Sequence, residues 1–318
     1  MLRTVLAIAL SLVCSHGVFS ETLLIADKAA GALLYFDTAS LEVTRAVPVG
    51  GNPHEVVVTR DGRYAITSNS RSNTISIVDL SKGKEVDRLA SARFQYPHGM
   101  ALHPNGLWLY LTNEQTRHVF TIDLEKRQIV DELSTGMGGS HMVVLTADGA
   151  RAYIANRESG TVSLWKTASQ KSIAHAEAGS GAEGIALSHD ERWLLVANRN
   201  DNNLHLFSTT AGLSLEAEIA VGEGPVRVAV SPDDRRAFVT HRASAQVYVI
   251  DLATRKVTAK IAVGEGPGGM AFDGAGGRLF VANTSAGTVS VLDLETLKVL
   301  STPDAGKGPD GLWVTSLP

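Results

Sequence analysis

The sequence predicts an all-β protein: a seven-bladed β-propeller with four-stranded blades, the last blade closed by N- and C-terminal strands. Three observations carry this. A unit with a period in the low forties recurs along the chain. Each copy holds short alternating or apolar runs bounded by Gly, Asn, Asp and Pro, about four per copy. Six copies are whole and the seventh is divided between the two ends, so that terminal strands can pair and remove an open sheet edge.

The elements follow in order. ETLLIADKAAGALLYFDTASLEVTRAVPVG, from Glu21, supplies the first part of the divided blade. The first whole copy opens on a Gly/Pro turn carrying His54 and continues through the apolar Val56–Val58. It reverses at Arg60, Asp61 and Gly62, returns over Tyr64–Thr67 to Asn69, and runs out again over Thr74–Val78 to Asp79. YPHGMALHPNGLWLYLTNEQTRHVFTID repeats the pattern with His98 in the slot of His54, and GSHMVVLTADGARAYIANRESGTVSLW with His141. GAEGIALSHDERWLLVANRNDNNLHLF puts Glu183 there, GPVRVAVSPDDRRAFVTHRASAQVYVID Arg227, and GPGGMAFDGAGGRLFVANTSAGTVSVLD Gly269. The closing GPDGLWVTSLP puts Asp310 in the slot. The fourth run of each copy, such as KEVDRLA or RKVTAKIAVG, is more polar, as an outer strand with one face in water should be.

Composition narrows the class. With 44% hydrophobic residues, 19% charged and 30 glycines, the 318-residue chain is globular and turn-rich. A net charge of −4 and the lack of a long basic run argue against nucleic acid as a partner. Residues 1–20 read as a secretory signal peptide. Arg3 is followed by TVLAIALSLVCS, too short to span a bilayer, and Val18 and Ser20 suit cleavage before Glu21. Residues 21–318 are then a periplasmic propeller domain, monomeric and without membrane insertion after cleavage. Cys14 is the only cysteine, so the mature chain has no disulfide and no thiolate ligand. A bound metal must use His, carboxylate or water.

VANRNDNNL, VANTSAGTVSVLDLETLKVL and IAVGEGPGGMAFD resemble the YVTN-type, roughly 40-residue repeats of bacterial seven-bladed propellers, over essentially the whole mature chain. The resemblance implies the fold strongly and the activity weakly, because such propellers include enzymes, haem-binding domains and proteins with no assigned activity.

Residues at one repeat position form a ring around a propeller axis. The first ring is the slot already described. The second is the residue after the Asn that ends each second strand: Ser70, Glu114, Arg157, Arg199, Arg242, Thr284 and, in the divided blade, Lys28. Both should lie at one face. His54, His98 and His141 occupy three consecutive blades and are the expected ligands of a divalent metal ion. The alternative is that each His caps a turn. Glu183 is the candidate catalytic proton carrier. Arg157, Arg199, Arg227 and Arg242 are the candidate binders of a small anionic, carboxylated molecule; as an alternative they bridge blades through carboxylates. Asn69, Asn113, Asn156, Asn198 and Asn283 read as structural, His205 as a surface residue, and His241 as lining the channel mouth.

Three functions remain open at this level. The first is a metal-dependent lyase, isomerase or hydrolase acting in the channel. The second is a non-catalytic protein that binds a metal or a haem-type cofactor. The third is a scaffold for a protein partner. A metal-free lactonase or cycloisomerase, of the kind other seven-bladed propellers resemble, lies between the first and the third.

Overall fold

The computed structural model describes residues 21–210 and 212–317. The signal-peptide reading of residues 1–20 lies outside the described residues. Among the described residues, twenty-eight strands, β1 to β28, form seven antiparallel four-stranded sheets. The divided blade has the order β28-β1-β2-β3, in which β1 (Thr22–Asp27) lies between β28 (Pro309–Thr315) and β2 (Ala32–Asp37), with β3 (Glu42–Pro48) outermost. The next blade runs outward through β4 (Pro53–Val58), β5 (Tyr64–Asn69), β6 (Thr74–Asp79) and β7 (Lys84–Ala90). Residues 97–134, 140–177, 182–220, 225–262 and 267–301 repeat it.

The second and third strands are nearly continuous in apolar residues because both sheet faces are covered. In β5, Ala65 packs toward the divided blade and Ile66 toward the blade that follows. The outer strands alternate instead, as Lys256–Ala262 does between exposed residues and half-buried or buried ones. Seven apolar clusters result, one at each interface between neighbouring blades, including the two that flank the divided blade.

The repeat Asn has a defined task. Asn69, Asn156 and Asn283 are fully buried at the ends of second strands. Each donates through Nδ2 to a hydroxyl five residues on and another seven residues on: Thr74 and Ser76, Thr161 and Ser163, Thr288 and Ser290. A Cβ on Gly50 or Gly264 would lie within about 2.6 Å of the Asn side chain, so the preceding loop needs glycine there. His241 takes the Asn position in one blade.

Candidate functional site

In every blade the innermost strand starts, and the second strand ends, at the same face of the ring. Pro53 pairs with Asn69, Ser140 with Asn156, Ala182 with Asn198 and Pro225 with His241. Just inside each pair the register shifts by a bulge. A bulge re-aims the side chain it carries. The residue after the strand-opening one is His54, His98, His141, Glu183, Val226, Gly268 and Asp310 in turn. This corrects the sequence alignment at two places: Arg227 and Gly269 stand one residue further along. Val226 and Gly268 fill the slot instead.

The ring one residue further in is Glu55, Gly99, Met142, Gly184, Arg227, Gly269 and Gly311. Its glycines mark close backbone approach. A Cβ on Gly99 would lie 2.6 Å from the His141 carbonyl, and one on Gly311 2.5 Å from that of His54. Into the narrow space that remains, Glu55 and Arg227 reach from blades on opposite sides of the axis and form an ion pair, with Arg227 buried. Burial disfavours the Arg227 charge, but Glu55, Asp310 and Glu183 outweigh it and raise the guanidinium pKa. Arg227 therefore closes the channel and is not free to hold a ligand.

Above this plug lies a cavity of about 410 Å³, lined by residues of both expected rings but not by Ser70, Thr284 or Gly269. One side is a corner assembled from the divided blade and its neighbour. Asp310 Oδ2 lies 3.0 Å from His54 Nδ1 and 3.2 Å from Lys28 Nζ, and Lys28 Nζ lies 2.8 Å from His54 Nε2. With the ring proton on Nδ1, the nitrogen nearer Asp310, Nε2 accepts from the ammonium. Burial lowers the His54 pKa, yet the charge and hydrogen-bonding capacity of Asp310, with Glu55, raise it overall. Burial likewise opposes the Asp310 carboxylate, but His54, Lys28 and Arg227 hold it far below the usual carboxylate range.

The second side is histidine. The rings of His54 and His98, and of His98 and His141, lie with centroids 3.8 Å apart. His54 and His98 meet at 3.1 Å through their Nε2 atoms. His141 Nδ1 lies 3.0 Å from the Glu183 carbonyl oxygen, to which it donates. Burial, then neighbouring positive groups, push His98 and His141 well below the ordinary imidazole range, so both are neutral at pH 7.

The third side is an ion-pair chain. Arg157 Nη1 lies 2.6 Å from Glu114 Oε1, and its Nε 3.4 Å from Glu183 Oε2. Arg199 Nη1 reaches the same Glu183 oxygen at 3.2 Å. Glu183, expected as a proton carrier, is gripped by two guanidiniums, and the anion those two arginines hold is Glu183 itself. Arg242 also lines the cavity, half-buried, and makes no ion pair or hydrogen bond among the described residues.

Two sets of side chains come within metal-binding range, with ligand atoms inside 4.8 Å of one another: His54, Glu55 and His98, and His98, Glu114 and His141. The three histidines are thus brought side by side, but each set joins two of them to a carboxylate. Glu55 was missed because alternation along β4 would turn it away from His54; the bulge brings both to the channel. Tyr96, in left-handed backbone with φ of 61°, stacks on His98 at 6.4 Å and had no repeat counterpart to mark it. Two other histidines depart from expectation. His205 is buried on a third strand rather than at the surface, and His241 is fully buried against Tyr248 rather than at the channel mouth.

Fold and site together define a seven-bladed propeller with a charged cavity on its axis. A family model described as lactonase, seven-bladed β-propeller, matches residues 45–210 and 122–260, and the chain belongs to that family. It is 25% identical over 213 residues to the uncharacterized protein YwhL of Bacillus subtilis, a match covering 64% of this chain and 45% of that protein. It is 24% identical over 197 residues to a 6-phosphogluconolactonase of Photorhabdus laumondii, covering 56% of this chain and 60% of the relative. The chain thus spans about half the length of these two relatives. Among solved structures it resembles the periplasmic gluconolactonase of Pseudomonas aeruginosa, with a TM-score of 0.77 at 18% identity over 94% of this chain and 99% of that one. It also resembles a chain of Kuenenia stuttgartiensis hydrazine synthase, with a TM-score of 0.78 at 19% identity over 86% and 92%. At these identities the structural likeness establishes the fold.

Proposed function

We propose that this protein is a periplasmic lactone hydrolase that opens a small anionic lactone in the axial cavity. Membership of the lactonase propeller family carries the reading. The lining of the cavity supports it, and the secretory character of residues 1–20, with a periplasmic gluconolactonase among similar folds, supports the compartment. The YVTN-type resemblance is compatible with this as a finer description of the repeats.

Lactone opening adds water to an ester carbonyl, passes through an oxyanion, and breaks the bond to the ring oxygen to leave a hydroxycarboxylate. The Lys28–His54–Asp310 corner supplies the groups for this. When the Lys28 ammonium leaves His54 Nε2 for the lactone carbonyl oxygen, that nitrogen takes the proton of the attacking water, and the Asp310 carboxylate beside Nδ1 stabilises the charged ring. Lys28 has three donor hydrogens, enough to hold Asp310 and still stabilise the oxyanion. The proton on His54 then passes to the departing ring oxygen. Arg242, with free donors, binds the anionic group of the substrate. Glu183 acts by fixing Arg157 and Arg199 in place.

The test is proton release from six-membered sugar lactones, with and without a carboxylate or phosphate group. Turnover above the spontaneous rate is expected for the anionic lactones, with kcat at least about 100-fold lower in His54→Asn and Asp310→Asn. No turnover of any lactone would refute the reading.

A further inference from the structure

We propose that His98, His141 and Glu114 form a divalent-cation site on the wall of the axial cavity, beside the hydrolytic corner, whose His54 meets His98 at 3.1 Å through their Nε2 atoms. These three place their ligand atoms within 4.8 Å of one another. His98 and His141 are 1% and 2% exposed, so their positions are set by packing. The bond from His141 Nδ1 to the Glu183 carbonyl fixes its ring and leaves Nε2 as the lone-pair nitrogen. An outer partner of this kind is what orients a ligating imidazole. His98 keeps a buried nitrogen, Nδ1, with no hydrogen-bond partner among the described residues. That is a cost the fold bears unless a ligand satisfies the ring. Glu114 spends Oε1 on Arg157 and keeps its second oxygen.

The other set within range, His54, Glu55 and His98, is a poor host. A cation there would face the Lys28 ammonium, 2.8 Å from His54 Nε2, and the Arg227 guanidinium already bound to Glu55. Around Glu114, the charge of Arg157 is shared with Glu183, so the local balance is less positive. The histidine trio expected from the sequence is thereby redrawn: His54 leaves the set and Glu114 enters. Two imidazole nitrogens and one carboxylate suit first-row transition dications such as Zn²⁺, Mn²⁺ or Fe²⁺ rather than Mg²⁺ or Ca²⁺. Three protein ligands leave coordination positions open toward the cavity.

The experiment is calorimetric titration of the chelator-stripped protein with Zn²⁺. One bound equivalent is expected, at least about tenfold weaker in His141→Ala and Glu114→Gln, and retained in His54→Asn. No binding by the wild-type protein overturns the proposal. So does unchanged binding in the first two variants, or loss confined to His54→Asn. Because a variant can fail to fold, the wild-type protein loaded with Co²⁺ is examined by proton NMR. Two strongly shifted exchangeable imidazole protons are expected, and none or three would overturn the assignment. Lactone hydrolysis by the stripped protein is scored apart. Absence of a cation then does not count against the hydrolase, nor absence of turnover against the cation.

Discussion

His241 stands where most blades carry a buried Asn, and its burial makes stability depend on pH. Its Nδ1 donates to the Val239 carbonyl at 3.1 Å, its Nε2 is buried without a partner among the described residues, and its ring packs 4.1 Å from that of Tyr248. Lys260 lies 4.6 Å above the same tyrosine ring. Burial lowers the imidazole pKa to about 4; the Val239 carbonyl opposes the shift and Lys260 adds to it. The unfolded chain takes a proton near pH 6.5, whereas the folded chain resists until about pH 4. The unfolded state therefore binds more protons in that window, and stability present above pH 6.5 is lost as pH falls through it. Between pH 7.5 and pH 5 the loss from this residue is about 2 kcal/mol. That corresponds to about 3 °C in Tm for a domain of this size. The assay is reversible urea unfolding of the wild-type protein and His241→Asn at both pH values. The difference between the two proteins cancels the other titrating groups and any packing cost of the variant. It should change by about 2 kcal/mol in favour of the variant at the lower pH. A difference that stays flat would refute the argument.

Other consequences can be measured directly. Glu55→Gln strands the Arg227 charge at the centre of the ring and should cost about 3–5 kcal/mol in urea unfolding, most of it recovered when Arg227→Met is added. Asn283→Ala deprives the Thr288 and Ser290 hydroxyls of their shared donor. It should cost about 2 kcal/mol by the same assay. Arg242→Ala should raise KM for an anionic lactone about 10- to 100-fold with kcat unchanged, and leave a neutral lactone unaffected.

The fold was legible because each blade writes its strands in the same code. The turn signals, the repeat Asn and the polar outer strand recur, and the divided blade announces itself as two complementary halves. The two rings were legible for the same reason: Lys28, Glu114, Arg157, Arg199 and Arg242 do share one cavity. What the repeat could not reveal was pairing among the residues it gathers. Nothing in the sequence says that Arg227 is spent on Glu55, 172 positions away, or that Glu183 is held by two arginines rather than standing free. The bulge at each strand start was also hidden. It concealed Glu55; Arg227 was displaced by one position because it was matched to His54 by polarity rather than by its distance from the strand-opening proline. His241 misled for a different reason: an Asn-to-His change keeps the position polar, but the larger ring turns inward onto Tyr248.

Lys28 follows the first strand and Asp310 lies on the last, and they meet only because β1 and β28 share a sheet. The seam of the ring is therefore also a latch on the proposed hydrolytic corner. Terminal strands are where local opening is cheapest. Detaching β28 withdraws Asp310 from His54 and Lys28 while six sheets stay intact, so under mild denaturant catalysis should vanish before the β-sheet signal declines.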